Sequence, residues 1–351
     1  MSLKPVRVLV VDDSLTVRGK IVESLEGSPG FSVVGEAADG RMAFDLCQRL
    51  RPDVVTLDMV MDGVGGLEAT RRIMANCPTP ILIISASAER GELIKTLDAL
   101  AAGAVDVLDK PRPGESAEEW EETFRRRLRR VARVRVITHL EGRRRKQTAE
   151  WPDQEPTPIP SRGIRIVALG ASTGGPRALR QILSGVTDLP CVVLVVLHLG
   201  EPFSLALASW LQGLVPMPVS EVQGGERLDG LDGKILFAPP DHHVTVENGR
   251  LRLSRAPERH GLRPSVDVLF ESLARHQDPS RVAAGLLTGM GRDGAAGLAA
   301  LRRAGATTFV QDRETCTVFG MPSAALDLGA AEFTLGLAEI AAFLTEVCHD
   351  D

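Results

Sequence analysis

Three polar residues in the C-terminal half of the chain each follow an apolar run. Ser172 follows "IRIVALG", His198 follows "CVVLVVL", and Asp293 follows "RVAAGLLTGMGR". Each run has the length of a parallel strand, and the carboxyl ends of such strands meet at one edge of the sheet. A serine at that edge can attack a carbonyl group if a histidine removes its proton and an acid orients the histidine. The three residues are therefore candidates for a nucleophile, a general base and an orienting acid.

The turn that carries Ser172, "GASTGGP", is open to other interpretations. Its glycines permit a tight turn before a helix, and a helix start also binds phosphate. The dinucleotide-binding pattern G-x-G-x-x-G is broken by the serine, and "GASTG" fits the hydrolase pattern G-x-S-x-G only as a short literal match. The chain order serine, histidine, aspartate differs from that of α/β-hydrolases. Residue spacing alone leaves a catalytic triad and a purely structural turn about equally open.

A second set of chemically active residues lies in the N-terminal half. Asp12 and Asp13 follow the run "VRVLVV", Asp58 follows "PDVVTL", Ser85 ends a fourth run, and Lys110 ends a fifth. Carboxylates gathered at one sheet edge repel each other unless a cation lies among them, and hard oxygen ligands suit Mg²⁺. Such an edge can accept a phosphoryl group on one carboxylate, with the lysine and the serine holding its other oxygens.

The elements that position these residues alternate along the chain. Apolar runs separated by helix-length segments predict an α/β fold made of two doubly wound parallel sheets. We expect domains at 1–115 and 163–351. Between them, residues 116–162 comprise an amphipathic helix, which begins with a capping box at Ser116 and Glu119, and a charged, Pro-rich linker.

Composition limits the possible functions. The chain has 351 residues, 44% of them hydrophobic, and a net charge of -5, which gives no reason to expect nucleic acid or an anionic membrane as partner. The five cysteines show no C-x-x-C spacing and indicate reduced thiols. The longest strongly apolar run, "CVVLVVLHL", is too short to cross a bilayer. We therefore expect a cytoplasmic protein with no segment inserted in the membrane.

The N-terminal pattern resembles the receiver domain of bacterial response regulators over residues 5–112. The motifs that carry the resemblance are "VLVVDDS", "PDVVTLDMVM", "ILIISAS" and "GAVDVLDKP". The resemblance implies a flavodoxin-like fold and a histidine kinase as phosphodonor. It also implies roles for particular residues: Asp58 as phosphoacceptor, Asp12, Asp13 and Asp58 as ligands of Mg²⁺, and Ser85 and Lys110 as switch and phosphate-contacting residues. The proline that commonly follows the phosphoacceptor by two residues is missing here, and Val107 replaces a common aromatic residue.

The C-terminal half resembles the catalytic domain of the protein-glutamate methylesterases of bacterial chemotaxis. The motifs are "GASTGGP", "APPDHH", "RPSVDVLF", "TGMGRDGAAGL" and "VQDRETCTVFGMPSAA". The resemblance implies a Rossmann-like, three-layer α/β/α fold with no cofactor in the esterase site. It implies Ser172 as nucleophile, His198 as general base and acid, Asp293 as orienter, and the main-chain N–H of Met290 as an oxyanion donor.

Two further residues match family positions and are candidates for substrate contact: Arg263 in "RPSVD" and His243 in "PPDHH". Loop and core packing is the competing interpretation of both. The sequence around His198, "LHLGEPFS", departs from the common Q-H-M-P, a change that bears on receptor preference.

These resemblances imply a phosphorylation-activated hydrolase that acts on glutamate methyl esters of chemoreceptors, releases methanol and also deamidates receptor glutamines. The alternative is a response regulator that acts by binding protein or DNA through a degenerate effector domain. The Arg-rich stretch 125–146 favours the alternative, but no helix-turn-helix pattern accompanies it.

Overall fold

A computed structural model describes residues 4–86, 89–111, 114, 116–134, 136 and 163–349. The chain divides into two compact units, Met1–Arg145 and Lys146–Asp351. The predicted Pro-rich linker lies outside the described residues. No helix among the described residues is long and apolar enough to cross a membrane.

The first unit is a five-stranded parallel sheet with helices between its strands. The strands are β1 (Val6–Val11), β2 (Phe31–Ala37), β3 (Val54–Leu57), β4 (Ile81–Ser85) and β5 (Asp106–Asp109). The helices are α1 (Leu15–Glu26), α2 (Gly40–Leu50), α3 (Gly66–Asn76), α4 (Arg90–Ala101) and α5 (Ala117–Val131). The strand order is β2-β1-β3-β4-β5. The order reverses between β1 and β3, and in doubly wound sheets the ligand crevice opens at that point.

Helix α5 belongs to the core of the first unit. Phe124, Leu128 and Val131 on its apolar stripe are buried in one cluster with residues of β1, α1 and β4. Ser116 caps its first turn by accepting a hydrogen bond from the Glu119 main-chain N–H at 3.4 Å. The predicted boundary at residue 115 placed this helix in the connecting segment. The apolar stripe instead covers one face of the sheet, which would otherwise expose its side chains to water.

The second unit is built on a seven-stranded sheet whose pairings are all parallel. Its strand order is β14-β13-β12-β6-β7-β9-β8, and a separate antiparallel hairpin is formed by β10 and β11. The strands are β6 (Ile166–Ala171), β7 (Val192–Leu197), β8 (Val219–Glu221), β9 (Ile235–Phe237), β10 (His243–Glu247), β11 (Arg250–Ser254), β12 (Val282–Leu286), β13 (Thr307–Gln311) and β14 (Phe333–Leu335). The helices are α6 (Gly175–Ser184), α7 (Phe203–Gln212), α8 (Val266–His276), α9 (Ala295–Arg303), α10 (Met321–Asp327) and α11 (Leu337–Cys348), with short 3₁₀ turns at Leu228–Gly230 and Pro279–Arg281.

The central strands of this sheet are buried on both faces. Every residue of β6, β7 and β12 is buried, as expected for parallel strands covered by helices. The strand order reverses at β6, which has β7 on one side and β12 on the other. The predicted fold class, two parallel-sheet α/β domains, is confirmed. The five cysteines are all free and buried.

We expect Phe124→Ala to destabilise the first unit by about 3–5 kcal/mol, because it removes a fully buried ring that also stacks on Trp120. Arg126→Ala, an exposed position on the same helix, is the control and should change the free energy of unfolding by less than about 0.5 kcal/mol. Urea unfolding of the full chain measures both. Equal effects of the two substitutions would contradict the assignment of α5 to the core.

Candidate functional site

Strand pairing brings Ser172 and His198 side by side. Ala171 at the end of β6 is paired with Leu197 at the end of β7, so the two candidates are the next residues on neighbouring strands. The His198 main-chain N–H donates to the Ala171 carbonyl at 3.0 Å and extends the pairing by one step. Because neighbouring strands lie about 4.8 Å apart, both residues occupy the same short edge.

A tight turn holds Ser172 at the start of α6. The Gly175 N–H donates to the Ser172 carbonyl at 2.7 Å. Gly174 has φ +81°, and a Cβ there would lie 2.4 Å from the Thr317 hydroxyl oxygen, so both backbone conformation and space require glycine. The turn therefore places Ser172 at the start of α6, the end of the helix dipole that favours negative charge.

Asp293 is seated on the N-terminus of α8. It is 1% exposed. Its Oδ1 accepts from the Ser265 hydroxyl at 2.7 Å and the Asp267 N–H at 3.2 Å, and its Oδ2 accepts from the Val266 N–H at 2.7 Å. Burial alone would raise the pKa of Asp293, but the contact with His198 and the hydrogen bonds from Ser265 and Val266 outweigh it and hold that pKa at about 2. The carboxylate is thus kept ionised and fixed in direction.

His198 lies against Asp293. The His198 Nε2 atom is 3.0 Å from Asp293 Oδ2, and both side chains are almost fully buried. The distance is that of a hydrogen bond, but the contact does not meet hydrogen-bond geometry, so it is an electrostatic contact. In enzymes without bound substrate such contacts are often poorly aligned. The Nδ1 atom is the ring nitrogen that Asp293 does not occupy.

The peptide unit between Gly289 and Met290 is held in one orientation. The Gly289 carbonyl accepts from the N–H groups of Gly320 at 3.0 Å and Met321 at 2.9 Å, at the start of α10. A trans peptide directs its N–H opposite to its carbonyl, so the Met290 N–H points away from α10. A Cβ at Gly289 would lie 2.9 Å from the Ser172 Cβ, which places this peptide directly beside the candidate nucleophile.

The structure places Arg263 and His243 in supporting contacts. His243 is 1% exposed, and its ring nitrogens contact the Ser265 N–H and the Pro257 carbonyl, each at 3.2 Å. Arg263 is paired with Asp241 and donates to the Ala256 carbonyl at 3.1 Å. These contacts hold the segment that leads into Ser265.

Sequence reasoning missed a buried carboxylate next to Asp293. Asp267 is fully buried, accepts from the Gly297 N–H at 2.6 Å, and lies 3.2 Å from His260 Nε2 and 3.8 Å from Arg259 Nε. Burial raises the pKa of Asp267. The carboxylates of Asp267 and Asp293 both accept hydrogen bonds from main-chain N–H groups, and these bonds hold the two acids in place. The motif "RPSVD" carried the signal, since a serine two residues before an acid and ahead of an apolar helix is typical of an N-cap.

In the first unit, strand pairing brings two acids together in the same way. Val11 is paired with Leu57, so Asp12 and Asp58 are the next residues on β1 and β3. The Lys110 ammonium donates to Asp58 Oδ2 at 2.8 Å and lies 2.8 Å from Asp12 Oδ2. Burial raises the pKa of Asp58, although Lys110 opposes this effect. Burial would lower the pKa of Lys110, but the two carboxylates outweigh it and raise that pKa.

The residues at this edge can hold a divalent cation. Asp12, Asp13 and Asp58 each offer a carboxylate oxygen within 4.8 Å of the others. Asp12 Oδ2 is buried and, among the described residues, no donor makes a well-aligned hydrogen bond to it. Ser85 ends β4 with a buried hydroxyl, and its carbonyl accepts from the Lys110 N–H at 2.9 Å. The five predicted residues are thus brought to one edge of the sheet.

Comparisons with known proteins match one family model to each of the two units. Residues 167–344 match the family model "CheB methylesterase", and residues 8–118 match "Response regulator receiver domain". The protein-glutamate methylesterase/protein-glutamine glutaminase 2 of Pseudomonas aeruginosa is 43% identical over 97% of both chains. The protein of that name from Anaeromyxobacter dehalogenans is 41% identical over 98% of this chain and 97% of its own. The solved CheB methylesterase catalytic domain of Thermotoga maritima is 33% identical, with a TM-score of 0.49, and matches 52% of this chain and 98% of its own.

The pKa of Asp293 predicts how stability depends on pH. A carboxyl group with a pKa of about 2 in the fold and 3.8 as its ordinary value stabilises the fold above pH 4 and loses that contribution as pH falls towards 2. We therefore expect the gap in the free energy of unfolding between wild type and Asp293→Asn to narrow by about 2 kcal/mol between pH 5 and pH 2.

Urea unfolding across this pH range measures the gap. Asp327→Asn, at an exposed position of α10, is the control, and its gap to wild type should stay constant. A gap for Asp293→Asn that does not change with pH would contradict a depressed pKa.

Proposed function

This chain belongs to the CheB methylesterase family and carries a response regulator receiver domain, and from this premise we propose that it is a phosphorylation-activated protein-glutamate methylesterase. It removes methyl groups from glutamate γ-methyl esters of chemoreceptors in sensory adaptation, and it also acts as a protein-glutamine glutaminase. Both activities take place in the cytoplasm. The observation that carries it is the contact of His198 with a helix-anchored Asp293 at the strand edge that bears Ser172.

The esterase reaction proceeds in two steps. The Ser172 oxygen attacks the ester carbonyl while His198 takes the hydroxyl proton, which it holds at Nδ1 because Nε2 faces Asp293. The Met290 N–H donates to the oxyanion that forms. When the bond to the methoxy group breaks, His198 returns the proton, and methanol leaves.

The acyl-enzyme is then hydrolysed by the same residues. Water attacks the serine ester as His198 removes a proton, and that proton returns to the Ser172 oxygen when the product leaves as a glutamate side chain. A glutamine side chain can follow the same route, with ammonia as the first leaving group. Asp293 stays ionised throughout, since its pKa of about 2 lies far below working pH, and it stabilises the imidazolium form of His198.

The receiver domain controls this reaction through phosphorylation of Asp58. Asp12, Asp13 and Asp58 would hold Mg²⁺, which when bound supplies positive charge beside the incoming phosphoryl group. Lys110 already contacts Asp58 and Asp12, so its ammonium is placed to bind a phosphoryl oxygen. The buried Ser85 hydroxyl is the second group available to the phosphoryl oxygens. A histidine kinase is the phosphodonor.

The alternative of a regulator that acts by binding DNA through the Arg-rich stretch is not favoured. Several of its arginines bond to the first unit itself: Arg125 donates to the Ser24 carbonyl at 3.3 Å, Arg127 to the Val107 carbonyl at 2.7 Å and Arg129 to the Pro29 carbonyl at 3.1 Å. Such arginines stabilise the packing of α5. The part of the stretch beyond residue 136 lies outside the described residues.

We expect Ser172→Ala to lower methanol release from a methylated chemoreceptor by about 1,000-fold or more, because it removes the attacking oxygen. Phosphorylation of the receiver should stay at the wild-type level, which serves as the control for folding. Methanol release and phosphate incorporation are measured on the same preparation. Esterase activity retained by Ser172→Ala would refute the assignment of the nucleophile.

We expect Asp58→Asn, or removal of Mg²⁺ by a chelator, to abolish phosphorylation by a small-molecule phosphodonor and with it the rise in methanol release. The unstimulated rate should not change, since neither treatment touches the esterase residues. Asp53→Asn, before β3 and outside this edge, is the matched control. Phosphorylation that survives either treatment would contradict the proposed site.

A further inference from the structure

We infer that Thr288 is a positioning residue for the ester hydrolysis, because it joins the turn of Ser172 to the loop that carries the oxyanion donor. This inference rests on the proposed function, since it concerns the rate of the step at Ser172. Thr288 follows β12 and precedes Gly289 and Met290. It is 1% exposed, so its side chain is not part of a surface that substrate can reach.

The Thr288 hydroxyl connects two loops. It donates to the Thr173 carbonyl at 2.8 Å, in the turn that follows Ser172. It accepts from the Val318 N–H at 3.0 Å, in the loop that leads to α10. A single buried side-chain oxygen therefore satisfies one acceptor and one donor, and removal of that oxygen takes this partner from both groups.

The main chain of Thr288 adds two further bonds. Its carbonyl accepts from the Ser172 N–H at 3.0 Å, so the backbone of the nucleophile is attached directly to this residue. Its N–H donates at 2.8 Å to Oε1 of Gln311, which is fully buried at the end of β13. Gln311 in turn donates to the Thr315 hydroxyl at 3.2 Å.

These bonds also set the direction of the Met290 N–H. The Val318 carbonyl accepts from the Gly289 N–H at 2.9 Å, and the Gly289 carbonyl accepts from Gly320 and Met321. The loop 318–321 thus holds the Gly289 peptide by hydrogen bonds, and the Thr288 hydroxyl links this loop to Thr173. The hydroxyl of Thr288 therefore acts together with its main-chain bond to Ser172 in setting the distance between the nucleophile and the oxyanion donor.

The decisive experiment compares Thr288→Val with Thr288→Ser in steady-state methanol release from a methylated chemoreceptor. Valine keeps the shape and loses the hydroxyl, and we expect kcat to fall about 10- to 100-fold, as when reacting groups are slightly misplaced. KM should change less than about twofold, because no substrate contact is lost. Serine restores the hydroxyl, and its kcat should lie within about threefold of wild type.

Thr308→Val is the matched control. Thr308 is fully buried in β13 of the same unit, and its hydroxyl accepts from the Glu332 N–H at 3.2 Å. That N–H also donates to the Thr308 carbonyl at 2.8 Å, so the same chemical change removes a buried hydroxyl away from Ser172 and leaves the N–H paired. We expect its kcat to stay within about twofold of wild type even where its thermal unfolding midpoint falls as far as that of Thr288→Val.

Three results would overturn the inference: a wild-type kcat in Thr288→Val, a loss of kcat in Thr308→Val as large as in Thr288→Val, or a Thr288→Ser variant as slow as Thr288→Val. If Thr288→Val does not fold, Thr288→Cys against Thr288→Ser repeats the comparison, since a thiol is a much weaker donor and acceptor than a hydroxyl. In the same assay, methanol release by the wild type and its loss in Ser172→Ala establish the esterase activity. A normal Thr288→Val then refutes the positioning role alone.

Discussion

Both sites depend on the in-register pairing of two neighbouring parallel strands. In each sheet the last residue pair of the two strands directly precedes the candidate site residues. These pairs are Val11 with Leu57 and Ala171 with Leu197. A slip of one residue would turn the following side chain to the opposite face of the sheet. Main-chain hydrogen bonds beyond the pairs, from Asp58 to Val11 and from His198 to Ala171, prevent that slip. The strand order reverses beside each pair, and in doubly wound sheets the ligand crevice opens at such a point.

The two sheets stabilise a buried carboxylate by different means, and each suits its chemistry. Asp293 is surrounded by N–H and O–H donors at the start of α8, which keep its pKa at about 2, so it acts as a permanent negative charge. Asp58 is paired with the side-chain ammonium of Lys110, and burial raises the pKa of Asp58. A carboxylate held by a lysine can be released to an incoming phosphoryl group, whereas one held by a helix start cannot move without moving the helix.

Much of this arrangement could be predicted from the sequence because it depends on periodicity. Apolar runs that end in Asp12, Asp58, Ser172 and His198 indicate both sheet edges. Parallel strands then bring the residues that follow them to the same edge. Contacts between distant segments could not be predicted, since no local pattern shows that Thr288 reaches Val318 or that Asp267 lies beside Asp293. The sequence-based boundary leaves helix α5 outside the first domain for a related reason. Its amphipathic stripe indicates a buried face, but not the sheet against which that face packs.

The Gly289–Met290 peptide has an evolutionary consequence. A donor that belongs to the main chain is kept by every substitution at position 290 except proline, which has no N–H. The requirement falls instead on neighbouring positions that leave no room for a side chain. A side chain at Gly289 would collide with Ser172, and one at Gly320 would lie 2.7 Å from the Gly289 carbonyl. The proposed oxyanion donor therefore depends on two glycines that have no reactive group, and a search for reactive residues passes over them.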